Sequence, residues 1–284
     1  MDIMRLSPED LGKGSSIKLE RCGSEHDIYW KMALEMLDVI KENNAQGKTT
    51  FMIVPYGPLG GYSVLVYLIN KYRISLKNCV FMNMDEYIGP DGEYIPTDDP
   101  LSFRGGMERI FYSLIDDELN VLPENRYFPD PHDPGMTMRL IEKYGVPEMT
   151  WGGIGINGHF AFNEPPEPDE ECTNEEFLAR PTRVLNITRE TRTINAYMNC
   201  GANLEAIPKQ CITVGMKEIY MSKRIRILMP RDWLAAMLRR VLHGDITCRV
   251  PCSLFRNHPD CTVLACNDAI YGDVIPKIRI YNKK

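Results

Sequence analysis

The sequence predicts an α/β fold: three layers, Rossmann-like, with helices on both faces of an open, mostly parallel sheet. Three observations carry that expectation. Short apolar runs alternate with amphipathic stretches from about residue 27 to the end, the pattern of strands interleaved with helices. A chain of 284 residues with 44% hydrophobic content can bury a sizeable core and lies at the upper end of a single α/β domain, so one domain over residues 1–284 is expected. Prolines cluster just after apolar runs, at Pro55 and Pro58, at Pro90, Pro96 and Pro100, and at Pro165, Pro166 and Pro168, where the chain must leave a sheet.

Taken in order, "DIYWKMALEMLDVIKEN" has helical spacing, with Ala33, Met36, Leu37 and Ile40 on one stripe, and "TFMIVP" reads as the first core strand. "SVLVYLINKY" continues as helix and "CVFMNM" as strand. "DPLSFRGGMERIFYSLI" is helical from its acidic start, with Gly105 and Gly106 weakening its first turns. "MTWGGIG" is a strand. "TRVLNI", "RETRTINAYM", "CITV", "RIRILM", "RDWLAAMLRRVL" and "CTVLAC" extend the alternation, with no internal repeat and no low-complexity tract.

Thirty-three basic against 39 acidic residues give a net charge of -6, so no basic footprint for nucleic acid is present at the level of the chain. Any anionic ligand must be held by a local device. Nine cysteines lie mostly within apolar runs, their number is odd and no secretory leader is read before them, which points to a reducing cytoplasm. Cys248, Cys252, His258 and Cys261 follow C-x3-C-x5-H-x2-C, which matches none of the common structural zinc spacings, so buried free thiols are expected and no metal. No apolar run is long enough to span a bilayer, because prolines and glycines break even "FMIVPYGPLGGYSVLVYLI".

In open α/β sheets ligands sit beyond the carboxyl ends of the strands, so chemistry is expected in the three proline-marked loops. The third reads "GGIGINGHFAFNEP". Gly153, Gly155 and Gly158 satisfy G-x-G-x-x-G, yet the prolines that come after it forbid the helix a dinucleotide fingerprint requires. The glycines, Gly158 among them, instead bring backbone close to a small ligand. His159 and Glu164 are acid/base equipment, a carboxylate fixing one ring nitrogen and leaving the other free to move a proton; a histidine packed between Phe160 and Phe162 is the structural alternative. The second loop, "FMNMDEYIG", sets Asp85 and Glu86 at the end of an apolar strand, where partial burial raises a carboxylate's pKa and suits it to taking a proton from carbon; a cap on the next turn is the alternative for Asp85.

Together, "FMNMDEYIG" and "GGIGINGHFAFNEP" resemble the glucosamine-6-phosphate deaminase/isomerase family, whose motifs read approximately MDEY and G-x-G-x-D-G-H-x-A-F-N-E-P. The resemblance continues through "TRVLNITRETRTINA", "CITVGMKEIYMSKRIRIL" and "NHPDCTVLAC", covering roughly residues 30 to 270. It implies a sugar-phosphate substrate, opening of a pyranose ring, proton transfer between C2 and C1 and release of ammonia. Asp85 would shuttle the proton, His159 would drive ring opening and Glu164 would orient it. No metal or organic cofactor is implied, and a homo-oligomer is.

Departures from the family pattern accompany the matches. Asn157, counted with the candidate catalytic residues, stands where the family has an acidic residue, keeping the hydrogen-bonding shape without the charge, so that a step needing a carboxylate there would be slowed or lost. The family's phosphate loop, T-G-G-[ST], is replaced by "YGPLGG" from Tyr56 to Gly61, and its two basic phosphate ligands align with Tyr197 and Leu234. Replacement anion ligands are sought in Arg192, Lys209, Lys217 and Arg231 and in the backbone amides of Gly57, Gly60 and Gly61, with Glu86 also expected at the substrate. The family's allosteric lysine aligns with Leu185, so regulation of that kind is not expected. Three readings compete: a deaminating isomerase of an amino-sugar phosphate, a sugar-phosphate lactonase on the same fold, and a binding protein that has lost turnover.

Overall fold

The computed structural model describes residues 2–275. Among the described residues ten strands are formed: β1 (Lys18–Cys22), β2 (Thr50–Val54), β3 (Cys79–Asn83), β4 (Asp85–Ile88), β5 (Arg126–Tyr127), β6 (Met149–Gly153), β7 (Arg183–Asn186), β8 (Gln210–Thr213), β9 (Ile225–Met229) and β10 (Cys261–Cys266). Between them run α1 (Glu25–Ala45), α2 (Gly60–Tyr72), α3 (Phe103–Ile110), α4 (Met136–Tyr144), α5 (Asn174–Leu178), α6 (Arg189–Cys200), α7 (Met216–Tyr220), α8 (Ala235–His243) and α9 (Asn267–Tyr271).

Helix α1 starts where Ser24 and Asp27 form a reciprocal capping box, and it buries Met32, Ala33, Met36, Leu37 and Ile40, the stripe expected from the spacing. Its apolar face packs on α2 and on β1, β2 and β10. Helix α2 closes at Arg73, which takes the left-handed conformation and donates its N–H to the Ile69 carbonyl.

Seven strands form one sheet in the order β1-β10-β9-β6-β2-β3-β5, and every neighbouring pair is parallel. Strands β2, β3, β9 and β10 are buried at every residue, as parallel strands covered on both faces must be. Strand β1 was not anticipated by the apolar pattern; "KLERC" is mostly polar because it lies at the sheet edge, with only Cys22 buried.

A correction concerns "TRVLNI" and "CITV". They become β7 and β8 as strands but do not join the parallel sheet; with β4 they form a separate antiparallel sheet, order β4-β8-β7. Strand β7 alternates half-buried and exposed residues, the signature of a strand with one face in water. No helix among the described residues is long and apolar enough to cross a membrane.

The chain passes from the parallel to the antiparallel sheet within two residues. Met84 hands its N–H to the Val54 carbonyl of β2 and accepts from Val214 N, and Asp85 then pairs with Thr213 of β8. Its neighbour Glu86 is fully buried and accepts from Ser102 Oγ (2.9 Å), Phe103 N (3.0 Å), Arg104 N (2.7 Å) and its own strand's Tyr87 N (2.8 Å). Burial raises the Glu86 pKa, and these donors offset part of that rise. A carboxylate at the start of α3 satisfies amides that have no partner within the helix. Glu86→Ala is therefore expected to cost about 3 kcal/mol by leaving several buried donors unpaired. A urea midpoint equal to that of the unsubstituted protein would contradict this anchoring role.

Candidate active site

Strands β2 and β6 are neighbours, yet the chain leaves β2 toward β3 and leaves β6 toward the opposite flank of the sheet. Such a switch point opens a crevice beyond the carboxyl ends of the strands. A cavity of about 810 Å³ lies there. Its walls come from the loop after β2 (Pro55 to Gly60), from Met84 and Asp85, from Gly153 to Gly155 with His159, from α6, from Leu228 of β9 and from Pro230 to Leu234 beyond it.

Asp85 lines the cavity and is 7% exposed. No hydrogen bond to its carboxylate is formed among the described residues, so burial pushes its pKa well above the ordinary carboxylate range, and the adjacent Glu86 charge adds to the rise.

The loop after β6 folds back on itself. Gly155 N donates to the His159 carbonyl at 3.0 Å, Ile154 bridges to Phe160, and Gly158, at φ +89°, turns the chain, with a Cβ there meeting Val250 at 2.9 Å. Ala161 sits in the left-handed region at φ +55°, a strained conformation held by the anchors around it: Phe162 N to Thr213 Oγ1, and Asn163 Nδ2 to the Phe160 and Val214 carbonyls. The His159 ring lies directly over Gly155, where a Cβ would fall 2.1 Å from the imidazole. Only glycine leaves room for that ring.

Behind the imidazole, His159 Nδ1 is 3.1 Å from Glu164 Oε2 and 3.2 Å from Thr191 Oγ1. With a carboxylate as its partner, Nδ1 is the ring nitrogen that carries a proton toward Glu164. Glu164 is 6% exposed and burial alone would raise its pKa; the charge and hydrogen bond of His159 and bonds from Asn157 and Thr191 outweigh that and hold it below the ordinary value. Asn157 Nδ2 donates to Glu164 Oε2 at 2.6 Å and to Thr188 Oγ1 at 3.3 Å. Asn157 is thus a support for Glu164 and does not line the cavity.

The remaining expected ligand-binding residues divide. Gly57, Gly60 and Arg231 line the cavity. Glu86, Gly61, Gly158 and Arg192 do not. Glu86 anchors α3, Gly61 packs on Met32, Gly158 turns the loop, and the Arg192 guanidinium donates to the Leu204 and Ile207 carbonyls. Lys209 and Lys217 are exposed elsewhere. Arg231 is the one lysine or arginine among the described residues that line the cavity, and it is ion-paired to Glu25 at 2.7 Å. Glu25 also accepts from Tyr29 Oη at 2.9 Å, and burial together with that carboxylate pushes the Tyr29 phenol up to about 12. Tyr197 and Leu234 line the cavity, where basic residues were sought by alignment.

Sequence reasoning missed Thr188 and Thr191. Both lie at the start of α6, where Thr188 caps the helix, so each reads as an ordinary terminus residue until tertiary packing brings it against His159 and Asn157. The aromatic wall was missed too: Tyr56 stacks on Phe103 with centroids 4.8 Å apart, and Tyr87 accepts from Asn195 Nδ2 at 3.0 Å. No group of three His, Cys, Asp or Glu side chains among the described residues is placed to hold a metal ion.

No protein-family model matches the chain. A glucosamine-6-phosphate deaminase of Bacillus velezensis is 31% identical over 249 residues, covering 86% of this chain and 97% of that one. One from Aliivibrio salmonicida is 30% identical over 260 residues, with coverage of 89% and 91%. Among solved structures, a monomeric glucosamine-6-phosphate deaminase matches with a TM-score of 0.77 at 27% identity, covering 90% of this chain and 99% of its own. A 6-phosphogluconolactonase from Trypanosoma cruzi matches with a TM-score of 0.64 at 16% identity over 91% and 97%, a likeness of fold alone.

Asp85 makes a signed prediction. Its folded-state pKa lies above the unfolded value, so its contribution to stability is full below the unfolded pKa and is lost as pH rises through the folded one. Asp85→Asn cannot ionise. Its melting temperature is expected to match that of the unsubstituted protein near about pH 4 and to exceed it by roughly 3 °C near about pH 8. A difference that does not change with pH would mean that Asp85 is not desolvated.

Proposed function

The chain belongs to the glucosamine-6-phosphate deaminase family, and from that premise we propose that it converts an aminohexose to the corresponding ketose with release of ammonia. One observation carries this reading: Asp85, with its raised pKa, and His159, braced by Glu164, line the same sugar-sized cavity. A base poised toward neutrality and an imidazole of fixed tautomer are the two groups that enolisation of a sugar requires.

In the proposed sequence His159 Nε2 accepts the proton of the anomeric hydroxyl and returns it to the ring oxygen, opening the pyranose. Asp85 removes the hydrogen on C2, the electrons move to the C1 carbonyl, and an enolamine forms. Asp85 returns the proton to C1 while the amino nitrogen yields one, through solvent, to the C1 oxygen, leaving a hydroxymethyl C1 and an imine at C2. Water adds to that carbon and ammonia departs, so the net change is aminohexose plus water to ketose plus ammonia. Desolvation strengthens Asp85 as a base in its ionised form, because the charged carboxylate is poorly stabilised where it stands.

Glu164 supports His159 by stabilising the imidazolium that forms transiently, and Asn157 supports Glu164 by donating to it. An amide at position 157 keeps that carboxylate ionised. A second carboxylate there would share a proton with Glu164.

Solvent exchange isolates the proton-transfer step. Asp85→Asn is expected to reduce hydrogen exchange at C2 of a bound aminohexose in D2O, monitored by NMR, by at least about 1,000-fold. His159→Ala is expected to slow turnover of the cyclic sugar by about 100-fold while leaving exchange in an open-chain analogue less affected. Undiminished exchange in Asp85→Asn would remove the basis for the reading.

A further inference from the structure

The charge and chemistry of the cavity wall bear on which aminohexose is taken, a question that rests on the proposed deamination. Among the described residues, Asp85, Arg231 and Asp232 are the aspartate, glutamate, lysine or arginine side chains that line the cavity. Arg231 is already paired with Glu25, which Tyr29 holds by a second bond. The Tyr29 ring in turn lies over Gly60, close enough that a Cβ on that glycine would fall 2.3 Å from it. Tyr29 therefore packs against the first turn of α2 and forms part of the cavity wall beside Arg231. Among the described lining residues, a phosphate entering here meets Asp85 and Asp232 against one guanidinium, that of Arg231, whose charge Glu25 already pairs.

Much of the wall is apolar or aromatic. Leu59, Tyr197, Met198, Trp233 and Leu234 line it, and Tyr197 is 69% exposed, so its ring stands at the mouth instead of filling the core. Apolar walls with few polar groups hold uncharged ligand surface, and a dianion that meets more carboxylates than cations is repelled. We propose that the substrate is an unphosphorylated aminohexose, with its reacting carbons at Asp85 and His159 and its remote end against this uncharged wall.

The test compares glucosamine, mannosamine and galactosamine with their 6-phosphates in C2 hydrogen exchange and ammonia release. The free sugars are expected to exceed the phosphates in kcat/KM by about tenfold or more. Equal use of the phosphates, or preference for them, overturns the inference while leaving the proposed reaction standing. Loss of exchange with every sugar overturns the proposed reaction instead, and thermal stabilisation then judges the ligand class by itself. Stabilisation by a free aminohexose and not by its 6-phosphate or by inorganic phosphate upholds the inference; stabilisation by the phosphates, or by none of these compounds, defeats it. Tyr197→Arg adds a cation at the exposed mouth without touching the core. It is expected to shift the preference toward the 6-phosphate by about fivefold, and an unchanged ratio counts against the charge argument.

Discussion

The step from β3 into β4 is the constraint around which the site is built. At Met84 the backbone is still bonded to β2, and one residue later it is paired with β8 of the other sheet. Successive residues of a strand point to opposite sides, so Asp85 and Glu86 cannot share an environment. Asp85 faces the cavity without a donor, while Glu86 turns inward to the start of α3 and collects four. Two adjacent carboxylates thereby take different tasks. The anchored one fixes the backbone, and the unanchored one stays a poorly solvated acid whose pKa rises partly because its neighbour is so near.

The third buried carboxylate is shifted the other way. Glu164 is held below its ordinary pKa by His159, Asn157 and Thr191, against burial. Opposite displacements of two carboxyl groups around one cavity leave one more readily protonated and the other held as an anion, and environment alone makes the distinction. The separation relies on the loop geometry: Gly155 makes room for the imidazole, the strained Ala161 lets the chain double back, and Thr191 of α6 closes the ring from the far side.

Relatives named glucosamine-6-phosphate deaminases share most of the length of this chain. Against that background the cavity divides into two parts of different character. The half around Asp85 and His159 keeps the family motif, apart from the amide at Asn157. The other half carries, among the described residues, one guanidinium paired from α1 and a wall of apolar and aromatic side chains, contributed by separate loops.

The amino-acid sequence alone determined the parallel core strands and the helices between them, because period and apolar content act locally and the long buried runs allow few alternatives. It also placed Asp85, His159 and Glu164 in proline-marked loops after apolar strands, where the open sheet has its crevice, and Asp85 and His159 line the cavity found there. Only the tertiary structure decided that β4, β7 and β8 form a sheet of their own, because strand partners are chosen by non-local pairing that no local pattern encodes. Likewise, Arg192 and Arg231 are indistinguishable as letters. One is spent on the Leu204 and Ile207 carbonyls and the other stands in the cavity, because what a long charged side chain reaches depends on the packing around it.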